Sequence, residues 1–165
     1  MNRENFGMLS FKYKGGIVTG DYKIGDSNTY SIVGNKDKVP HPDLVNSIDM
    51  FKSTFAYLLN VKEERVNASG IKVKTKTNKE EGTKIFFSIS GTLKVYKEKT
   101  VGLSTPEFDL EEENDKAAGA TLKNGDEYEI LEPEDAIEKL ETEFYKYIIG
   151  EKEAQGNLFN KKETE

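Results

Sequence analysis

The sequence predicts an α+β fold, in which an antiparallel β-sheet of about five to seven strands, in two blocks, is packed by two amphipathic helices. Two segments of β-favouring residues are punctuated by Gly, Asn and Asp, and each precedes a segment whose apolar residues have helical spacing. The predicted order is therefore β-β-β-α-β-β-β-α. At 165 residues the chain has the size of one domain. We expect residues 1–150 to form this domain and residues 151–165 to be a flexible, disordered acidic and polar tail.

The first β block covers residues 6–33. Its three β-favouring runs, 6–13, 17–24 and 29–33, are separated by Gly15-Gly16 and by Asp26-Ser27-Asn28. An antiparallel meander is the simplest arrangement of three such runs.

The first helix is predicted after Pro40 and Pro42, which bracket His41. Pro42 and Asp43 suit a first helical turn, His41 is expected to pack or cap at the helix entry, and Asn60 follows the end of the pattern. The apolar residues step by four, three, four and three, and so lie on one stripe: Leu44, Ile48, Phe51, Phe55 and Leu58.

The second β block runs from residue 70 to about 103, with a loop at 78–82 and a kink or turn at Ser90-Gly91. Alternation places Ile71 and Val73 on the inner face and Lys72, Lys74 and Lys76 on the outer face. In the following strand it places Ile85, Phe87, Ile89, Leu93 and Val95 on the inner face, and Lys84, Phe86, Ser88, Lys94 and Tyr96 on the outer face.

The acidic stretch 105–129 is predicted to be mainly loop, with a short strand possible at 128–131. The second helix starts at Pro133 and ends at Gly150. Its apolar side is Ile137, Leu140, Phe144, Tyr147 and Ile148.

The residue types exclude several kinds of site. The chain has no cysteine and one histidine, His41, so it offers neither a thiolate nor a zinc ligand set. The carboxylates of residues 111–115 lack the spacing of a calcium loop, and Gly15-Gly16 and Gly20 lack that of a phosphate-binding loop. We therefore expect no cofactor, no metal and no enzymatic activity.

The chain shows neither a signal peptide nor an apolar run long enough to span a bilayer. A cytoplasmic protein without a membrane partner is expected. Its charge is asymmetric: residues 1–106 contain 17 Lys and Arg against 11 Asp and Glu, whereas residues 107–165 contain 7 Lys against 19 Asp and Glu. This imbalance indicates a nucleic-acid-facing body beside an acidic segment, two parts of the chain that attract each other, or an acidic helix that is merely solvated.

The outer face of the second β block is the candidate nucleic-acid site. Lysines can contact successive phosphates, and aromatic rings can stack on unpaired bases. The residues concerned are Lys72, Lys74, Lys76, Lys84, Phe86, Lys94 and Tyr96. The alternative is a lysine-rich sheet face that only keeps the protein in solution.

The tail contains a second candidate site at Gln155, Leu158 and Phe159. The segment 155–159 matches the Gln-x-x-Leu-Phe peptide that docks bacterial replication and repair proteins on the sliding clamp. Alternatively, Leu158 and Phe159 fold back onto the domain as a hydrophobic latch.

Several short stretches resemble small uncharacterised proteins that bacteriophages and prophages encode in their early or recombination regions. These stretches are His41-Pro42-Asp43-Leu44, Ala68-Ser69-Gly70-Ile71, Leu103-Ser104-Thr105-Pro106 and Ala154-Gln155-Gly156-Asn157-Leu158-Phe159. The resemblance implies a phage-encoded protein in the host cytoplasm, associated with DNA metabolism. It implies no catalytic residues.

The leading hypothesis is a non-enzymatic phage protein that binds nucleic acid, in particular single strands, or a host replication or recombination protein such as the sliding clamp. The alternative is an acidic DNA mimic that inhibits a host defence or repair protein, because carboxylates at helical spacing imitate phosphates. The oligomeric state stays open.

Overall fold

A computed structural model shows an antiparallel sheet covered by helices, and it describes residues 1–26, 28–118 and 132–150. Within these residues the strands are β1 (Phe6–Lys14), β2 (Ile17–Ile24), β3 (Asn28–Val33), β4 (Val66–Asn78), β5 (Gly82–Tyr96), β6 (Lys99–Ser104) and β7 (Phe108–Asp109). The strands lie in the order β3-β2-β1-β4-β5-β6, and the two-residue β7 pairs with β5. The predicted α+β class and the meander of the first block are confirmed.

The described helices are α1 (Pro42–Asp49), α2 (Lys52–Leu59), α3 (Leu110–Ala118) and α4 (Pro133–Ile149). His41 is the N-cap of α1, where its Nδ1 accepts a hydrogen bond from the Asp43 amide at 3.2 Å. Asn60 ends α2 and Gly150 ends α4, both in the left-handed region. The predicted helix boundaries at Pro42, Asn60, Pro133 and Gly150 are thus confirmed.

The core lies between the helices and one face of the sheet. Phe11 of β1, Ile71 of β4 and Ile89 of β5 are register partners on that face and are fully buried. Phe144 of α4 belongs to the same core and meets Phe11 edge-on at 5.3 Å between ring centroids. Buried residues of α1, α2, α3 and α4 all belong to this core, so the helices share one side of the sheet. The opposite side, here called the open face, is uncovered by helices in the described part of the chain.

Neighbouring bulges in β1 and β4 determine which side chains lie on the open face. The register shifts between Met8 and Ser10 in β1, and between Ala68 and Gly70 in β4. Each bulge inserts one extra residue, and so reverses the alternation of inward and outward side chains. Phe6, Met8 and Phe11 of β1 therefore all face the core, as do Val66, Ala68 and Ile71 of β4.

The structure corrects the predicted helices. The first predicted helix is two helices, because the chain turns at Met50 and Phe51 between α1 and α2. The stretch predicted to be mainly loop contains α3, whose first turn is capped by Asp109: its Oδ1 accepts hydrogen bonds from the amides of Glu111 and Glu112. The strand considered at 128–131 lies outside the described residues.

The second β block also differs from its prediction in detail. Ser90 and Gly91 form no turn, because they lie within the continuous strand β5. Ile85 and Val95, predicted to face inward, are 41% and 46% exposed. Ile85 does share the inner face with Phe87 and Ile89, but it lies near the β4–β5 turn, beyond the buried part of that face, whereas Val95 lies at a bulge opposite β6. In the described residues, no helix is long and apolar enough to cross a membrane.

Candidate functional site

Two rows of side chains cross the open face from strand to strand. The pairing register aligns Ser31, Asp21, Ser10, Lys72 and Ser88 in the first row. It aligns Val33, Thr19, Lys12, Gly70, Ser90 and Ser104 in the second. All of these residues except Gly70, together with Lys74 and Glu107, line an open trough of about 560 Å³. We call it the central trough, and its volume falls within the range typical of small-ligand sites.

Gly70 lies in the second row, between Lys12 of β1 and Ser90 of β5, and is buried. A Cβ atom at this position would lie 2.6 Å from the Ser90 Oγ and 2.9 Å from the Phe11 carbonyl oxygen. Both distances are shorter than van der Waals contact, so a larger residue would force its neighbours apart. The Ser90 side chain thus occupies the space that a side chain at Gly70 would need, and glycine allows β1, β4 and β5 to approach closely at this point.

Lys12 and Lys72 are the cations of the central trough. Lys12 pairs with Gly70, and Lys72 lies two residues further along β4, so the two lysines are diagonal neighbours, roughly 7–8 Å apart. Both are exposed, and neither forms an ion pair with a described residue. The hydroxyls of Ser10, Ser88 and Ser90 surround them. Two ammonium groups and the hydroxyl donors of Ser88 and Ser90 form an environment suited to an anion such as a phosphate.

Lys74 and Lys76, further along β4, are paired with one carboxylate. Their Nζ atoms lie 2.5 and 2.9 Å from the Oε1 and Oε2 atoms of Glu107, in the connection between β6 and β7. Hydrogen bonds from Lys74 and then Lys76 lower the pKa of the Glu107 carboxyl from 4.5 to about 2. The single negative charge of Glu107 therefore compensates one of the two positive charges in this part of the face.

Next to these lysines, the β4–β5 hairpin also carries ion pairs. Lys84 lies 3.4 Å from Glu81 and 3.7 Å from Asp109, and its hydrogen bond to Glu81 raises its pKa. Phe86 shares the open face but is half-buried, with the Lys76 ammonium 4.5 Å from its ring centroid. Of the predicted site residues, Lys72, Lys74, Lys76, Lys84 and Phe86 thus lie together.

Lys94 and Tyr96 lie far from this group. Ten residues of extended strand separate Lys94 from Lys84, roughly 33 Å. Lys94 pairs with Glu98, and its carbonyl oxygen accepts two hydrogen bonds from the Arg65 guanidinium. Tyr96 is exposed, with the Lys97 ammonium 5.4 Å from its ring centroid. These two residues therefore belong to a separate surface at the β5–β6 hairpin.

Asp21 is a carboxylate within the central trough. Its Oδ1 accepts a hydrogen bond from Ser31 Oγ at 2.5 Å, and its Oδ2 accepts one from Ser10 Oγ at 2.9 Å. Its own amide donates to Ser10 Oγ at 3.1 Å. Because neighbouring strands hold it from both sides, the carboxylate has a fixed orientation.

The sequence reasoning missed Lys12, Asp21, Ser10, Ser31 and Glu107. Ser10 and Lys12 alternate with buried Phe11, and this alternation could have placed them on the open face once the strand was predicted. Their alignment with Lys72 depends on the register between β1 and β4, which are about sixty residues apart in the chain. The tail candidates Gln155, Leu158 and Phe159 lie outside the described residues.

Comparisons with known proteins give no further assignment for this site. No family model, no curated protein and no solved structure matches the chain. Within the described residues, no group of three or more His, Asp or Glu side chains is placed to hold a metal ion.

The Glu107 ion pairs predict a pH-dependent contribution to stability. Because the folded-state pKa is lowered from 4.5 to about 2, the contribution is fully present above pH 4.5 and is lost as the pH falls towards 2. We expect Glu107→Gln to melt at a lower temperature than the wild type at neutral pH, and the difference to shrink between pH 4.5 and 2. Thermal unfolding followed by circular dichroism across this range measures it.

The charge-matched control is Glu98→Gln, since Glu98 is 94% exposed and pairs with a single lysine, Lys94. Its effect on the melting temperature at neutral pH should be smaller, because exposed single ion pairs contribute little. A difference between wild type and Glu107→Gln that stays constant down to pH 2 would contradict the assigned role of Glu107.

Proposed function

We propose that the protein is a non-enzymatic binding protein for single-stranded nucleic acid, and that it binds the strand on the open face of its sheet. The observation that carries the proposal is the pair Lys12 and Lys72, which lies in a hydroxyl-lined trough without a carboxylate partner in the described chain. A phosphate offers both the charge and the hydrogen-bond acceptors that these groups lack.

The lysines of β4 support an extended ligand. Lys72, Lys74 and Lys76 repeat every two residues, so their Cα atoms are about 6.6 Å apart along the strand. This spacing is comparable to that between successive phosphates of an extended single strand. A ligand whose phosphate contacts Lys72 could thus continue along β4, with Phe86 beside it as a surface for a base.

The central trough favours a single strand over a duplex. Its floor carries the hydroxyls of Ser10, Ser88 and Ser90 and the carboxylate of Asp21, which are groups that hydrogen-bond to base edges. In a duplex the Watson–Crick edges are occupied by pairing, whereas an unpaired base can turn towards the sheet. The polar floor is therefore complementary to unpaired bases.

The test is the fluorescence anisotropy of a labelled oligo(dT), titrated with protein at two salt concentrations. Tight binding that weakens with salt is expected, and Lys72→Glu or Lys12→Glu should weaken it about tenfold and lower the salt slope by about 0.7 per lost phosphate contact. Lys62→Glu is the control, because it makes the same charge change at an exposed position outside the trough. If no binding occurs at low salt, or if Lys62→Glu weakens binding equally, the proposal is wrong.

Glu107→Gln should change the affinity for the oligonucleotide in the opposite direction. Removing this carboxylate frees Lys74 and Lys76 for phosphates, so affinity should rise and the salt slope should steepen by up to about 1.4. Unchanged affinity would mean that the strand does not extend along β4 as far as these lysines.

A protein partner is the second candidate function, favoured by the charge on the helical side. The exposed carboxylates of α3 and α4 include Glu111, Glu112, Glu134, Asp135 and Glu138. Hydrogen bonds between Asn114 and Glu134 join the two helices, so the carboxylates form one acidic surface. A basic host protein captured through this surface, and lost when these carboxylates are neutralised, would support the inhibitor hypothesis.

A further inference from the structure

We propose that Asp21 selects the base of the nucleotide bound in the central trough, and that the base it favours is guanine. The inference rests on the proposed function, because it assigns the base contact of the same trough whose lysines would hold a phosphate. The proposed ligand is a guanine nucleotide, either as one unit of a strand or as a free mononucleotide.

The carboxylate of Asp21 is oriented before any ligand binds. Ser31 donates to Oδ1 and Ser10 donates to Oδ2, so each carboxylate oxygen has one hydroxyl donor and can accept further hydrogen bonds. Asp21 lines the trough and is half-buried, which places these oxygens at its surface. A ligand with two adjacent N–H groups would satisfy both of them.

Guanine is the base whose Watson–Crick edge matches this carboxylate. Its N1–H and N2 amino group are parallel neighbouring donors, which two carboxylate oxygens can accept together. Cytosine and adenine each offer one amino donor beside a ring acceptor, and thymine offers one N–H between two carbonyl groups. The acceptor pair of Asp21 therefore favours guanine and repels the acceptors of thymine.

The distance between Asp21 and the lysines suits one nucleotide. In the first row Asp21 and Lys72 are separated by the single residue Ser10, so they are two strand spacings apart, about 9–10 Å. That distance is comparable to the reach of a nucleotide from its phosphate to the outer edge of its base. A phosphate beside Lys12 and Lys72 thus leaves the base over Asp21.

The experiment compares oligo(dT) strands that carry one central guanine, hypoxanthine, adenine or cytosine, with anisotropy as the readout. Wild type should bind the guanine strand about tenfold tighter than unmodified oligo(dT), and hypoxanthine, which lacks the N2 amino group, should fall between them. Asp21→Asn should abolish this preference and bind unmodified oligo(dT) more tightly than wild type does, because it removes a negative charge from the trough. Ser31→Ala, at an exposed position, is a second variant that should reduce the preference by releasing one oxygen of the carboxylate.

The outcomes separate this inference from the proposed function. If wild type binds all strands equally, Asp21 has only a structural role and the base assignment fails, while nucleic-acid binding stands. Guanosine monophosphate, titrated alone by calorimetry, distinguishes the two sources: binding of the mononucleotide without binding of any strand supports Asp21 but overturns the proposed function. If neither is bound, both fail.

Discussion

Replacing Gly91 by alanine is expected to lower the free energy of unfolding by about 3 kcal/mol or more. A Cβ at this position would lie 2.0 Å from the Asn67 carbonyl oxygen and 2.8 Å from Cε1 of Phe55, a fully buried side chain of α2. Neither neighbour can move freely, since Asn67 is paired in the β4–β5 ladder and Phe55 is fully buried. Chemical denaturation measures the loss.

Gly102→Ala is the matched control for Gly91→Ala. Gly102 lies on the neighbouring strand β6, and the nearest atom to its added Cβ would be the Gly91 carbonyl oxygen at 4.0 Å, an ordinary contact. Its stability should stay within about 1 kcal/mol of the wild type. If Gly91→Ala were equally mild, β4 and β5 would have to separate easily, which would contradict the close approach assigned to Gly91.

Phe144→Ala is expected to destabilise the protein by about 3–5 kcal/mol, which for a chain of this length lowers the melting temperature by roughly 10 °C. The ring of Phe144 is fully buried and meets Phe6, Phe11 and Tyr22 at centroid distances of 6.1, 5.3 and 6.2 Å. It also fills the space above Gly20, where an added Cβ would lie 2.7 Å from its Cζ atom.

Ile149→Ala on the same helix is the comparison for Phe144→Ala. Ile149 is 42% exposed near the end of α4, so its truncation should change stability by about 0.5 kcal/mol or less. Equal effects of the two substitutions, measured by differential scanning calorimetry, would show that α4 does not anchor the sheet through Phe144.

Much of the fold could be predicted, because local chemistry determines it. Pro42, Asn60, Pro133 and Gly150 mark helix ends through their own backbone preferences. The break between α1 and α2 was missed, since the apolar stripe continues across Met50 and Phe51 and conceals the change of direction. The sequence predicts a kink or turn at Ser90-Gly91, whereas in the structure Gly91 lies within β5, and its lack of a side chain permits a close approach to Asn67 of β4.

The candidate site was predictable only in part, because it is assembled across strands. Alternation within β4 places Lys72, Lys74 and Lys76 on one face, a prediction that the register confirms. Alternation could not predict the different partners of these three lysines. Glu107 reaches Lys74 and Lys76 from a connection about thirty residues away, whereas Lys72 lies beside β1 and Lys12.

The paired bulges give the chain an unusual sensitivity to changes in length. In β4 one extra residue, Ser69, separates a segment whose even-numbered side chains face the core from one whose odd-numbered side chains do. Deleting Ser69 would therefore exchange the two sides of everything beyond it, turning the ammonium groups of Lys72 and Lys74 towards the core while exposing Ile71 and Val73. A substitution alters this surface at one position, but the in-frame deletion of a single codon would reverse the orientation of every side chain of β4 beyond the deletion.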